Sequence, residues 1–128
     1  MINNGAVSWT SHKQPTVAVS TMEAEYMALS DAAREAIARS QLYGELLLKL
    51  PTPLILSDSQ GALKISEDPT NYQRAKHIDI RYHFIRHALH ADQISIDYLP
   101  SAQNPADILT KSLGPLDHHH CVKLMNLC

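Results

Sequence analysis

Apolar and polar residues along this chain recur with two different periods, and the two periods divide it into predicted elements. Ala6-Val7-Ser8-Trp9-Thr10-Ser11 alternates and predicts a strand. The β-branched stretch from Thr16 to Val19 is expected to be extended. Ser20-Thr21-Met22-Glu23 fits a capping box, with Ser20 as N-cap and Glu23 at the third helical position. A long helix is predicted to follow, because Met22, Tyr26, Leu29, Ala33, Ile37, Leu42 and Leu46 recur at helical spacing. Leu50-Pro51-Thr52-Pro53 is expected to end it. Leu54-Ile55-Leu56 is apolar throughout, as in a buried strand, and Asp58 follows it closely. A short helix over 60–66 and a turn at Asp68-Pro69-Thr70-Asn71 come next. Residues 78–91 form a predicted helix with the apolar stripe Ile78, Tyr82, Ile85 and Leu89. Ile94 to Tyr98 alternates as a strand, Asn104-Pro105 opens another helix, and after Gly114-Pro115 an amphipathic segment runs to Leu127.

Strands separated by helices imply an α/β layer with a partly parallel sheet. Ligands of such sheets bind beyond the C-terminal ends of the strands, where Asp58 stands. The length of 128 residues points to one compact domain. A 45% hydrophobic content supports a core, and an aromatic content of only 5% means that aliphatic side chains and alanines must fill it. No apolar run approaches the length that crosses a bilayer, and the first residues lack the pattern of a secretory signal. The two cysteines, Cys121 and Cys128, lie too close to the end to brace the domain, so a reducing compartment is expected. Net charge of −2 excludes a wholly basic nucleic-acid surface and restricts any such contact to a local patch.

Three carboxylates stand at positions that invite chemistry. Glu25 lies early in the long helix, Asp58 just after the buried strand, and Asp107 in the first turn after Pro105. Clustered carboxylates bind hard cations such as Mg²⁺ and support two-metal phosphodiester cleavage. Taken singly, each has a simpler explanation, because acidic residues favour helix N-termini. Positive charge gathers over Arg74, Lys76, His77, Arg81, His83, Arg86 and His87. His83, Arg86, His87 and His90 are expected to share the helix face opposite the apolar stripe. That face suits either phosphate contact or plain solvation. Asp79 is expected to cap this helix or to pair with Lys76 or Arg81. His118-His119-His120 point in successive directions on a helix and make a poor shared metal site. Tyr26, Tyr82 and Phe84 are assigned to the core.

Four blocks of sequence, in order, carry a resemblance. They are the run from Val7 to Tyr26 that ends Met22-Glu23-Ala24-Glu25-Tyr26, then Ser57-Asp58-Ser59-Gln60-Gly61-Ala62. Lys76-His77-Ile78-Asp79-Ile80-Arg81-Tyr82-His83-Phe84-Ile85-Arg86 and Asn104-Pro105-Ala106-Asp107-Ile108-Leu109-Thr110-Lys111 complete them. Together they resemble the ribonuclease H domain at the C-terminal end of copia-type (Ty1/copia) LTR retrotransposon Pol polyproteins. The resemblance implies a ribonuclease H-like mixed sheet flanked by helices, and an Asp-Glu-Asp-Asp cluster that holds two Mg²⁺. Here Glu25, Asp58 and Asp107 match three of those four carboxylates. The family's first Asp lies upstream of the segment like Gly5 to Trp9. An N-terminally truncated domain over 1–113, lacking the first two strands, is therefore expected, with a helical tail over 114–128. The implied activity is hydrolysis of the RNA strand of RNA–DNA hybrids during reverse transcription, with little activity from these residues alone. The implied partners are the hybrid, held by Arg74, Lys76, Arg81, His83, Arg86 and His87, and the reverse-transcriptase portion of the polyprotein. The implied setting is the cytoplasm and a virus-like particle. The alternatives are a non-catalytic transposon remnant and a zinc-dependent binding module built on the C-terminal histidines and cysteines.

Overall fold

A computed structural model describes residues 1–2, 5–15, 17–18, 20–67 and 76–127. The expected extended stretch at Thr16 to Val19 lies partly outside these residues, and the turn at Asp68 to Asn71 wholly so. The chain divides into two compact units, residues 16–98 and residues 1–15 with 99–128.

In the larger unit, Ser20 starts the first helix, α1 (Thr21–Glu45), as its side chain accepts from the Glu23 N–H at 3.1 Å. The helix buries Tyr26, Met27, Leu29, Ser30 and Ala33 along one face. It stops five residues before the expected Leu50. Leu47 adopts φ 59°, its N–H bonds to the Gly44 carbonyl and the Leu48 N–H to the Tyr43 carbonyl. That is a Schellman ending, with leucine where glycine is usual. Leu46, the last of the periodic positions, therefore caps the helix.

Strand β1 (Leu54–Ser57) pairs in parallel with β2 (Ser95–Tyr98), with Leu54 opposite Ser95 and Ile55 opposite Ile96. Parallel neighbours need a long crossover, supplied here by α2 (Gln60–Glu67) and α3 (Lys76–His90). Ile55 and Ile96 pack on a core of Tyr26, Leu29, Ala62, Tyr82 and Ile85, continued by Ala33, Ala88 and Ile94. Ile85 is fully buried, a contribution of about 1.5–3 kcal/mol. The core thus mixes a few large side chains with alanines, as the composition requires.

Two expectations need correction here. Among the described residues the sheet is parallel and two-stranded, not mixed. Leu54-Ile55-Leu56 is also covered on one face only, since Leu54 and Leu56 are 56% and 47% exposed. Strand side chains alternate in direction, and the face shared with Ser95 and Asp97 looks outward.

In the smaller unit, short 3-10 helices cover Ser101–Gln103 and Pro105–Leu109, and α4 spans Pro115–Leu124. The helix expected after Asn104-Pro105 is thus a short 3-10 helix. The strand expected at Ala6 to Ser11 is absent. Its alternation has no ladder to join among the described residues. The Ala6 N–H donates to the Met125 carbonyl, and Val7 and Trp9 are exposed.

Candidate metal and nucleic-acid site

Asp58 occupies the two-residue link between β1 and α2, and hydrogen bonds of its neighbours bracket it. The Ser59 N–H donates to Ser57 Oγ at 3.2 Å, a serine turn across Asp58. The Ala62 N–H donates to Ser59 Oγ at 3.2 Å, which makes Ser59 the N-cap of α2. The start of α2 then presses on the start of α1. A Cβ on Gly61 would lie 2.8 Å from Met22 Sδ, so only glycine permits this approach without a shift. Ala62, fully buried between α1 and α3 side chains, fixes the same contact. Glu25 lies one helical turn after Met22 and is exposed. The contact of Gly61 with Met22 thus joins the start of α2 to the first turn of α1.

Asp107 belongs to the smaller unit. Asn104 Oδ1 accepts from the Ala106 N–H at 3.1 Å and starts the 3-10 turn. The Asp107 carboxylate is paired with Lys111 Nζ at 2.8 Å. It lines a cleft of about 320 Å³ with Asn104, Asp117, His120 and Cys121. Cys121 is buried there, while His118, His119 and His120 are exposed in successive directions on α4. A second cleft, of about 180 Å³, lies between Ile37, Gln41, Thr52 and Asp92 and contains none of the candidate carboxylates.

Serine and asparagine side chains cap the helix starts near these carboxylates, and Asp107 holds the first-turn place that suits an acidic residue. Ser20, Ser59 and Asn104 do the capping. Glu25 sits beyond the first turn of α1, and Asp58 precedes the cap of α2. The sequence signal was present in each case, as Ser or Asn at the helix start. In donor type the three carboxylates fit Mg²⁺, which prefers hard oxygen ligands. The set is not complete within either unit, and among the described residues no three His, Cys, Asp or Glu side chains gather to hold a metal ion.

On α3, His83, Arg86 and His87 are exposed, opposite the buried Tyr82, Ile85 and Ala88. Arg86 folds back along the helix, with Nη1 3.1 Å from Tyr82 Oη and Nε 3.4 Å from His90 Nε2. Arg74 and the side chains of Lys76 and His77 lie outside the described residues. Asp79 sits in the first turn of α3, which begins at Lys76, and so is not its N-cap. Arg81 is engaged inside the unit. Its Nη1 donates to Asp31 Oδ1 at 2.6 Å and to the Met27 carbonyl at 3.2 Å, joining α3 to α1. Nothing in the local sequence announces a partner so far upstream. Arg34, over the Phe84 ring at 5.3 Å, makes a second such link.

Comparison with known proteins finds similarity to mobile-element polyproteins. It is 35% identical over 125 residues, 98% of its length, to the retrovirus-related Pol polyprotein from transposon TNT 1-94 of Nicotiana tabacum. It is 35% identical over 109 residues to that from transposon RE1, and 34% identical over 109 residues to that from transposon RE2, both of Arabidopsis thaliana. The chain is thus homologous to a segment of retrovirus-related Pol polyproteins from plant transposons. It spans 9% of the tobacco polyprotein and 7% and 8% of the two Arabidopsis ones. No family model matches the chain, and no solved structure matches it.

Proposed function

We propose that these residues form the C-terminal part of a copia-type ribonuclease H domain, which hydrolyses the RNA strand of RNA–DNA hybrids during reverse transcription. The observation that carries this reading is the placement of Asp58. It follows the C-terminal end of a parallel strand, directly before Ser59, which caps α2. That is where α/β sheets hold ligands. Similarity to Pol polyproteins over nearly the whole chain supplies the context in which such hybrids arise.

Glu25, Asp58 and Asp107 are the side chains that would supply oxygen ligands to Mg²⁺. When bound, the metal would activate water and stabilise the leaving oxygen. The chain's own contribution is positional. The β1–α2 link fixes Asp58, and Asn104 and Lys111 fix Asp107. In this reading Arg74, Lys76, His83, Arg86 and His87 contact the hybrid backbone, which proteins recognise by shape, phosphates and 2′-hydroxyls. Arg81 serves the fold instead. The partner is the reverse-transcriptase portion of the same polyprotein, inside the cell.

The test is cleavage of a labelled RNA–DNA hybrid in Mg²⁺ by the chain extended at its N-terminus. The extension is the segment that precedes the matching region in the tobacco polyprotein. The expected product is cut RNA with intact DNA, lost in Asp58→Asn. The 128-residue polypeptide alone, with three of the four implied carboxylates, is expected to cleave little. An extended polypeptide without activity would favour the non-catalytic remnant.

A further inference from the structure

We infer that Tyr82 and His90 are positioning residues that hold the Arg86 guanidinium ready for a phosphate of the hybrid, an assignment that rests on the ribonuclease H reading above. The three residues follow one another at intervals of four on α3, so their side chains meet in a line along the helix. Arg86 Nη1 donates to Tyr82 Oη at 3.1 Å, and Arg86 Nε donates to His90 Nε2 at 3.4 Å. The arginines that flank this line in the fold are committed elsewhere. Arg39 pairs with Glu35, Arg81 pairs with Asp31, and Arg34 lies over the Phe84 ring. Arg86 differs in what holds it. A phenol and an acceptor imidazole nitrogen fix two of its three nitrogens without a countercharge, so the cation keeps its full pull on an anion.

The hold starts in the core. The Tyr82 ring is buried in the cluster of Tyr26, Leu29, Ala62 and Ile85, which fixes where its hydroxyl stands. A buried tyrosine commonly carries its hydroxyl to a polar partner at the edge of the core, and Arg86, on the exposed face, is one here. That bond is partly buried, so water competes poorly for it. His90, one turn further and exposed, takes the second bond. Nη2 makes no hydrogen bond among the described residues, and its two N–H groups suit a phosphate oxygen. A long arginine side chain samples many rotamers, and ordering it on binding costs affinity. With two bonds already made, less freedom is lost when the phosphate arrives.

The experiment uses the extended polypeptide and a labelled RNA–DNA hybrid at about pH 8, where histidine side chains are largely uncharged. Dissociation constants are measured across a range of salt. Ordering one long side chain costs on the order of threefold to tenfold in affinity, so Tyr82→Phe and His90→Ala should each weaken binding by about that factor. Neither removes a charge, so the salt slope should stay as in the parent, whereas Arg86→Gln lowers it by about one unit. In an Arg86→Gln background the two substitutions should change nothing further. His90→Gln keeps an acceptor and should restore most of the affinity. His90 is exposed, so its variants carry the test even where Tyr82→Phe loosens the core. Parent affinity, or tighter binding, in His90→Ala would overturn the inference and leave the hybrid contact of α3 standing. So would a His90→Gln variant as weak as His90→Ala. Parent affinity and slope in Arg86→Gln would overturn both, while the ribonuclease H reading itself falls only with the cleavage test above.

Discussion

Replacing Arg81 by alanine removes the clamp between α3 and α1, and its cost can be worked from the geometry. The ion pair with Asp31 measures 2.6 Å, and the two side chains are 17% and 32% exposed. Unit charges about 4 Å apart attract by about 4 kcal/mol at an effective dielectric constant near 20. Desolvation of two largely buried groups offsets a large part, and the remaining exposure screens it further. The bond to the Met27 carbonyl adds less, because that carbonyl also lies within the body of α1. The net loss for Arg81→Ala is about 2 kcal/mol, within the range for hydrogen bonds to charged groups. At roughly 4–8 °C per kcal/mol for a unit of this size, thermal unfolding by circular dichroism should fall by about 8–16 °C. Asp31→Asn should cost less, and the double-mutant cycle should give a coupling of about 1 kcal/mol or more. Arg81→Lys should recover only part, since an ammonium lacks the planar fork. A coupling below about 0.3 kcal/mol, with an unmoved transition, would return Arg81 to the surface and to the nucleic-acid patch.

Two further outcomes follow from other parts of the structure. Leu47 is 90% exposed at φ 59°, so Leu47→Gly loses no burial, relieves a left-handed leucine and should raise stability by about 1 kcal/mol in the same melt. Arg86→Gln should weaken binding of the extended polypeptide to an RNA–DNA hybrid and reduce the salt slope by about one unit. Arg39→Gln, on α1 and paired with Glu35, should change neither; equal effects from both would make the α3 face an ordinary solvated one.

The elements with strong local signals were legible in advance. Ser20 announced the start of α1, the apolar stripe announced α3, and Leu54-Ile55-Leu56 announced β1. What escaped depends on partners or on backbone choices that leave no period. Leu42 and Leu46 keep helical spacing, yet a left-handed Leu47 ends the helix just beyond them. Ala6 to Ser11 alternates like a strand, but among the described residues it meets no strand partner to form a ladder with. Arg81 looked like one more cation in a basic run, because Asp31 is far away along the chain. Alanines 33, 62 and 88 are among the best buried residues, and their small size makes them quiet in a hydrophobic pattern. For the site, the residue types and their order were readable. That Ser59 and Asn104 would take over the capping was visible only as residue type until the hydrogen bonds were placed.

Cleavage by the extended polypeptide, compared between Asp58 and Asn at that position, tests the central claim most directly. A labelled RNA strand annealed to DNA is incubated with Mg²⁺ and resolved by length over time. The account predicts RNA fragments from the parent protein, no cutting of the DNA strand or of single-stranded RNA, and a loss of rate of at least about a hundredfold in Asp58→Asn, about 2.7 kcal/mol or more in the barrier. Cleavage that survives the substitution, or a parent protein that cuts single-stranded RNA as readily as the hybrid, would contradict it.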